Sequence, residues 1–197
     1  MIDISIATED ILSEEVISKI LTELGDFNLL HKLGRKGCGY LIKKIENFNT
    51  LANTGNVLVV IDLDMNRTSD EYLLYLTRNL KNRHENLIFS VPTREVESWI
   101  LADREGLSNF LNISEKKIDR LPDSLDDPKS KLINLAKACK NSVAKNGIPP
   151  KAKSISKVGL SYNTILTKFV TETWSFRRAL ENSLSLSQTV TLLENLE

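Results

Sequence analysis

The sequence holds few of the residues that build disulfide frameworks or soft metal sites. Its two cysteines, Cys38 and Cys139, form no paired motif, and its two histidines, His31 and His84, are widely separated. This scarcity argues against a disulfide scaffold, a structural zinc site and a histidine-based catalytic triad. Both cysteines are therefore expected to be ordinary reduced thiols.

Long hydrophobic runs are also missing. No stretch approaches the roughly 20 apolar residues of a membrane-spanning helix. The first residues, 1–4, enter a strand-like pattern directly, without the basic region and small-residue cleavage site of a secretory signal. The composition, with 41% hydrophobic and 26% charged residues in 197, is that of an ordinary globular protein. We therefore expect a cytoplasmic protein with no membrane partner.

Net charge is the third absence, since the formal charge is zero. This balance conceals a segment, residues 128–171, that holds nine lysines and no acid. Such a segment is typical either of a solvated basic face or of a surface that neutralises a phosphate backbone. The lysines are Lys129, Lys131, Lys137, Lys140, Lys145, Lys151, Lys153, Lys157 and Lys168.

The order of periodic segments predicts an α/β fold. Strand-like runs at 2–7, 27–33, 57–62 and 86–91 alternate with helical patterns, which indicates a mostly parallel sheet with helices on both faces. A helix is predicted over 94–105. After Gly106 the pattern changes to helices and loops, including a predicted helix over 128–145. We therefore predict an α/β core over 1–105 and a C-terminal helical subdomain over 106–197, packed on the core.

Two carboxylates follow the most hydrophobic strand. The β-branched run 57–62 is typical of a strand buried on both faces, and Asp62 and Asp64 stand at its carboxyl end. In an extended chain residues i and i+2 point to the same side, about 6–7 Å apart. At about 6 Å and an effective dielectric near 20, their repulsion is about 2–3 kcal/mol. Metal binding, proton transfer or full solvation would each explain such a pair.

Other acids stand after neighbouring strands. Glu9 follows the first strand, and Glu95 and Glu97 follow the fourth. Ligands of open α/β sheets bind beyond the carboxyl ends of the strands. Because only oxygen ligands are present, the pattern favours Mg²⁺ or Mn²⁺ held by Glu9, Asp62, Asp64 and Glu97. Alternatively, Glu9, Glu95 and Glu97 simply begin helices, where acids interact favourably with the helix dipole.

These motifs resemble a known family. The order strand, Glu9, helix, strand, glycine loop, helix, strand and Asp-x-Asp is similar to the TOPRIM fold of topoisomerases, primases and OLD-type nucleases, over about residues 1–105. A closer similarity is to small bacterial TOPRIM-like proteins of uncharacterised function. They share Asp-Leu-Asp, Arg-Glu-x-Glu-x-Trp-x-x-Ala-Asp and Ser-Phe-Arg-Arg, which stand here at 62–64, 94–103 and 175–178.

One motif departs from the family. The small bacterial proteins usually show Glu-Gly-x-Thr-Glu after the first strand, and here the sequence is Ala7-Thr8-Glu9-Asp10, without the glycine. Either Glu9 or Asp10 could therefore take the metal-facing place. Without the glycine, the backbone is also expected to approach a phosphate less closely.

The resemblance implies a metal-dependent nuclease or another phosphoryl-transfer enzyme acting on nucleic acid, with genome defence as its setting. Asp62 and Asp64 would be direct ligands of Mg²⁺, and Glu9, or less readily Glu97, a further ligand or the general base. Two ions about 3.5–4 Å apart could activate water and stabilise the leaving oxygen. The catalytic residues would then be Glu9, Asp62 and Asp64.

Two alternatives belong to other classes. The first is a TOPRIM-like module that binds nucleic acid or a protein without catalysis. The second is a phosphatase with an aspartyl nucleophile, resembling haloacid dehalogenases. It is disfavoured because Met65-Asn66 lacks the expected Thr or Val and because the motif follows the third strand instead of the first. A partner ATPase or other operon-encoded protein and the oligomeric state are left open.

Basic residues supply candidate phosphate contacts. The glycine loop 34–39 matches neither a P-loop nor a dinucleotide fingerprint, so its two cations either meet a phosphate or merely accompany a turn. One of Arg177 and Arg178 is expected to face inward and pair with an acid, and Trp99 and Trp174 are expected in the core. The predicted nucleic-acid contacts are Arg35, Lys36, Arg94, Lys129, Lys131, Lys151 and Lys153.

Overall fold

The computed structural model describes residues 1–196 and has an α/β fold. Within these residues one parallel sheet is formed, with strand order β2-β1-β3-β4. Its strands are β1 (Ile2–Thr8), β2 (Phe27–Gly34), β3 (Asn56–Val60) and β4 (Leu87–Ser90). The predicted fold class, an α/β protein built on a parallel sheet, is confirmed.

Helices join the strands and make up the rest of the chain. The helices between strands are α1 (Ile11–Leu24), α2 (Cys38–Leu51) and α3 (Ser69–Thr77). Those after β4 are α4 (Glu97–Ala102), α5 (Arg104–Leu111), α6 (Pro128–Lys137), α7 (Ser142–Gly147), α8 (Tyr162–Glu172), α9 (Phe176–Leu180) and α10 (Leu184–Glu194). None of the helices within residues 1–196 has the length and apolar character needed to span a lipid bilayer.

The chain divides into two compact units. The first unit comprises Met1–Thr93 and the chain from Thr189 onward, and the second unit comprises Arg94–Gln188. The boundary predicted after residue 105 lies inside the second unit. The end of the chain thus returns to the first unit, within helix α10.

The first unit buries its sheet on both faces. On one face Ala7, Val57 and Val59 pack with residues of α2 and α3, among them Phe48. Ile4 and Ile6 alternate with Ala7 and are also fully buried, on the face opposite, where α1 packs against β1 and β2. Right-handed crossovers explain this arrangement, because β1 to β2 and β2 to β3 run in opposite directions across the sheet.

The long helix predicted over 94–105 is broken in the second unit. Helices α4 and α5 meet at Asp103, whose carboxylate accepts a hydrogen bond from the Gly106 N–H at 3.0 Å and so caps α5. The same carboxylate accepts the Ser175 N–H at 2.8 Å and pairs with Arg178 at 2.7 and 2.8 Å. Asp103 is fully buried, which fits the expectation that one arginine of the late motif pairs with an acid.

The second predicted helix, over 128–145, is also broken. The Asn141 side chain accepts hydrogen bonds from the N–H groups of Val143 and Ala144, at 3.0 and 3.2 Å, and begins α7 after α6 has ended. The tryptophans are core residues as predicted. The Trp99 indole N–H donates to Ser185 at 2.8 Å, and the Trp174 indole N–H donates to the Trp99 carbonyl at 3.1 Å.

Candidate functional site

The carboxyl ends of β1 and β3 bring two of the predicted acids together. These strands are neighbours, with Thr8 paired to Val60. Glu9 follows directly, and its Oε1 accepts a hydrogen bond from the backbone N–H of Asp62 at 2.9 Å. Acids that lie 53 residues apart in the sequence are therefore joined at one edge of the sheet.

The Asp-x-Asp segment lies beyond the end of β3 and leads into a turn that begins at Asp64. Strand β3 stops at Val60, although the Leu63 N–H still donates to the Pro92 carbonyl at 3.1 Å. Asp64 then takes a left-handed conformation with φ 48°. Asp62 is half-buried and Asp64 is exposed. The expectation that both carboxylates project from one extended strand is therefore wrong, because the strand ends at Val60 and Asp64 already lies in a turn.

The pKa of Cys38, at the start of α2, responds to the charges of Glu9, Asp62 and Asp64. Cys38 begins this helix, and its sulfur lies 3.4 Å from the Tyr72 hydroxyl. Burial raises the pKa of the Cys38 thiol, and the negative charges of Glu9, Asp64 and Asp62 raise it further. All three carboxylates therefore lie within electrostatic reach of one thiol in the first unit.

Glu9 and Asp10 have different partners. The Asp10 carboxylate accepts the N–H and the hydroxyl of Ser13, both at 2.9 Å, and so caps α1. The Glu9 carboxylate reaches Asp62 instead, while its backbone carbonyl accepts the Gly37 N–H at 2.9 Å. Either Glu9 or Asp10 was expected to take the metal-facing place. Of the two, Glu9 is the one that contacts the Asp-x-Asp segment.

Arg35 forms an ion pair with a buried acid, Glu14, which was not predicted from the sequence. Its guanidinium pairs with Glu14 on α1, with Nε 2.7 Å from Oε2. Lys32 lies 3.2 Å from the same carboxylate. Burial raises the pKa of Glu14, but the hydrogen bonds from Arg35 and Lys32 outweigh it, so that the net pKa is lowered. Helical periodicity gave no signal for this buried acid. The neighbouring Lys36 lies over the Tyr40 ring, 5.1 Å from its centroid.

Glu97 lies in the second unit, where its carboxylate is bound by other side chains. The Tyr162 hydroxyl donates to its Oε1 at 2.7 Å, and the Lys129 ammonium is 3.4 Å away. Lys129 also contacts Glu95 at 2.8 Å. Burial raises the pKa of Glu97 to about 7; Lys129 and Tyr162 oppose this shift, and Glu95 adds to it.

The remaining predicted phosphate contacts fall into two groups. Lys131 pairs with Asp119 at 2.6 Å, and Arg94, at φ 62°, lies 3.7 Å from Asp126. These cations already have acidic neighbours. By contrast, Lys151 and Lys153 lie exposed in the connection between α7 and α8.

The donor set at the sheet edge suits a hydrated ion. Within residues 1–196, no three His, Cys, Asp or Glu side chains are already arranged to hold a metal ion. Mg²⁺ commonly takes only one or two protein carboxylates and completes its octahedron with water and substrate phosphate oxygens. Asp62 and Asp64, with Glu9 beside them, fit that requirement but not a closed protein cage.

Comparison with known protein families, with curated proteins and with solved structures finds no match to this chain.

Proposed function

We propose that this chain is a TOPRIM-like phosphoryl-transfer enzyme that cleaves nucleic acid with Mg²⁺ or Mn²⁺ and acts in the cytoplasm. The observation that carries the proposal is the hydrogen bond from the Asp62 N–H to Glu9, at 2.9 Å. It joins acids that follow two adjacent parallel strands, at the edge where open α/β sheets bind their ligands.

Each residue has a separate task in this proposal. Asp62 and Asp64 offer carboxylate oxygens to the ion, and Glu9 fixes the chain at Asp62 by accepting its backbone N–H. Glu97 is left out of the metal set because Tyr162 and Lys129 already contact its carboxylate. When bound, the ion would polarise the phosphate and lower the pKa of a bound water.

Cleavage assays with matched variants test the proposal. Plasmid DNA, single-stranded DNA and single-stranded RNA are incubated with the protein in Mg²⁺, Mn²⁺ or EDTA. We expect cleavage with either ion and none in EDTA. Asp62→Asn should lower the rate by about 100-fold or more, since outer-shell partners of metal sites already cost about 10–100-fold. Glu9→Gln separates charge from positioning, because the amide oxygen can still accept the Asp62 N–H.

The control is Asp26→Asn, which neutralises an exposed acid before β2, at the amino ends of the strands. It should cleave like the wild type. Circular dichroism establishes that each variant is folded. Absence of metal-dependent cleavage by the wild type, or equal rates for Asp62→Asn and Asp26→Asn, would contradict the proposal.

A second candidate is the non-catalytic binding module. It is favoured by the motif after β1, Ala7-Thr8-Glu9-Asp10, which lacks the glycine that the similar family shows. Calorimetry distinguishes the two functions. The enzyme should bind Mg²⁺ and lose that binding in Asp62→Asn, whereas the binding module should take up nucleic acid without any response to the ion.

A further inference from the structure

The second unit carries an open groove that is separate from the carboxylates of the sheet edge. The groove has a volume of about 720 Å³ and is bordered by α5, α7 and α8. We call its apolar lining residues, Phe110, Val143 and Ile165, the floor of the groove. The half-buried Phe110 ring packs against Phe169 with 4.7 Å between centroids, which holds the ring in place. Pockets of about 300–1,000 Å³ are typical of small organic ligands, so this groove has room for a planar ring.

We call the polar lining residues of the groove its rim, and one of them is a cation. Asn146, Thr164 and Lys168 belong to it, and Lys168 is the one ionisable side chain among the lining residues that the structure describes. Its side chain is 69% exposed, and its i+4 neighbour Glu172 is 4.0 Å away. Because residues 128–171 contain no acid, the α7 and α8 segments that line the groove add no negative charge before Glu172. An apolar floor with a cationic rim complements a flat apolar group that carries an anion.

An exposed loop extends this charge. We call residues 148–160 the lysine loop, since it contains Lys151, Lys153 and Lys157, all exposed. It leaves the groove after Gly147 and returns to it at Ser161, and both of these residues line the groove.

The neck of the lysine loop is closed by close backbone packing. The Gly159 N–H donates to the Ile148 carbonyl at 2.8 Å. A Cβ on Gly159 would lie 2.1 Å from the Gly147 carbonyl oxygen, so that only glycine fits there. The loop is therefore an exposed projection whose two ends are held together beside the groove.

We propose that the groove and the lysine loop bind unpaired nucleotides of a single-stranded nucleic acid. A base would lie on the floor beside Phe110, and the adjoining phosphates would meet Lys168 and the loop lysines. Aromatic rings beside a basic track are the usual means of binding single strands, because every base has a face that can stack. The bases of a duplex are stacked on one another and cannot enter such a groove. This inference rests on the proposed function for its substrate class.

Fluorescence anisotropy tests the charge of the loop. Labelled DNA and RNA strands of about 20 nucleotides, longer than most binding sites of this type, are titrated with the protein in EDTA, beside a duplex of the same length. We expect single strands of DNA, RNA or both to bind at least roughly tenfold more tightly than the duplex. Replacing Lys151, Lys153 and Lys157 with alanine should reduce the salt slope by about 2, at about 0.7 for each phosphate contact. The control replaces the exposed Lys43, Lys81 and Lys116, which lie outside residues 128–171, and should leave the slope unchanged.

A second pair of variants tests the groove. Val143 is 66% exposed and lies in the first turn of α7, where an acid is favourable to the helix, so that Val143→Asp should fold. Its negative charge should weaken single-strand binding by roughly threefold or more relative to Val143→Asn, which has the same shape. Equal affinity for the two variants, an unchanged slope in the loop variant, or equal affinity for duplex and single strand would overturn the inference.

Failure of the groove inference can be distinguished from failure of the proposed nuclease function. Binding at the groove without metal-dependent cleavage would refute the proposed function alone. Cleavage that depends on Asp62, combined with indifference to both the loop and the Val143 variants, would refute the groove alone.

Discussion

Replacing Glu97 with glutamine should stabilise the second unit at pH 8 and leave its stability at pH 4 nearly unchanged. The carboxyl group is buried and has a pKa raised from 4.5 to about 7, chiefly by burial and against the attraction of Lys129. Glutamine keeps the size of the side chain and an oxygen that can accept the hydrogen bond from the Tyr162 hydroxyl. In the wild type this bond to Glu97 is 2.7 Å long. The variant therefore removes the titration and little else.

The magnitude follows from the two pKa values. Below pH 4.5 the group is protonated in both folded and unfolded chains, so it costs nothing. Between pH 4.5 and 7 the unfolded chain has released its proton while the folded chain keeps it, and stability falls as pH rises. At 1.36 kcal/mol per pH unit, the total loss is on the order of 3 kcal/mol, complete above pH 7. Glutamine should recover about that amount at pH 8.

Tryptophan fluorescence makes the assay specific. Both tryptophans of the sequence, Trp99 and Trp174, lie in the second unit. Urea denaturation followed by their emission therefore reports the unit that contains Glu97. Midpoints and slopes are compared from pH 4 to pH 8.5 for the wild type, for Glu97→Gln, and for a control, Glu172→Gln, which changes an exposed acid of α8.

The difference between wild type and Glu97→Gln is the decisive quantity, because other acids titrate in both proteins. It should be near zero at pH 4 and grow to its full value near pH 7. Stability curves that run parallel across this range would show that folding does not raise the pKa of Glu97. The conclusion that burial outweighs Lys129 would then be wrong.

Two further predictions concern the ion pairs of each unit. Asp103→Ala should lower the stability of the second unit by about 3 kcal/mol, the lower end for a broken buried pair because Arg178 can turn to solvent; an unchanged urea midpoint of the tryptophan signal would contradict this. Arg35→Ala should destabilise the first unit at neutral pH, since Glu14 has a lowered pKa and its contribution, present above pH 4.5, is lost as pH falls through the folded value. Hydrogen exchange in β1 and β2 should therefore quicken at pH 7 and converge with the wild type in acid, while nucleic-acid affinity stays unchanged if Arg35 serves only Glu14.

The sequence predicted the sheet and its helices well because their signals are local. The apolar run of β3, the Gly25 stop of α1 at φ 85° and the Thr68 cap of α3 are all visible within a few residues. The carboxylates after β1 and β3 could also be placed at one edge, since parallel strands end together. Strand order was not needed for that step.

Long-range pairing explains what the sequence did not predict. The break between α4 and α5 depends on Asp103, whose partner Arg178 lies 75 residues away. Arg35 was predicted to contact a phosphate, but in the structure its partner is the buried Glu14, which lies 21 residues earlier in the chain. The turn at Asp64 is a third example, because hydrophobic alternation does not show where the backbone leaves the extended conformation for the left-handed one.

The return of the chain to the first unit has a consequence for its synthesis. Ser90 at the end of β4 and Thr189 on α10 share a hydrogen bond of 2.8 Å, and Thr189, Val190 and Leu193 are buried. A ribosome that has made the whole sheet has therefore not yet made the last part of this unit's core. The nascent first unit keeps that surface uncovered until all of the second unit and then α10 have been translated, and an exposed apolar surface of this kind favours aggregation and proteolysis.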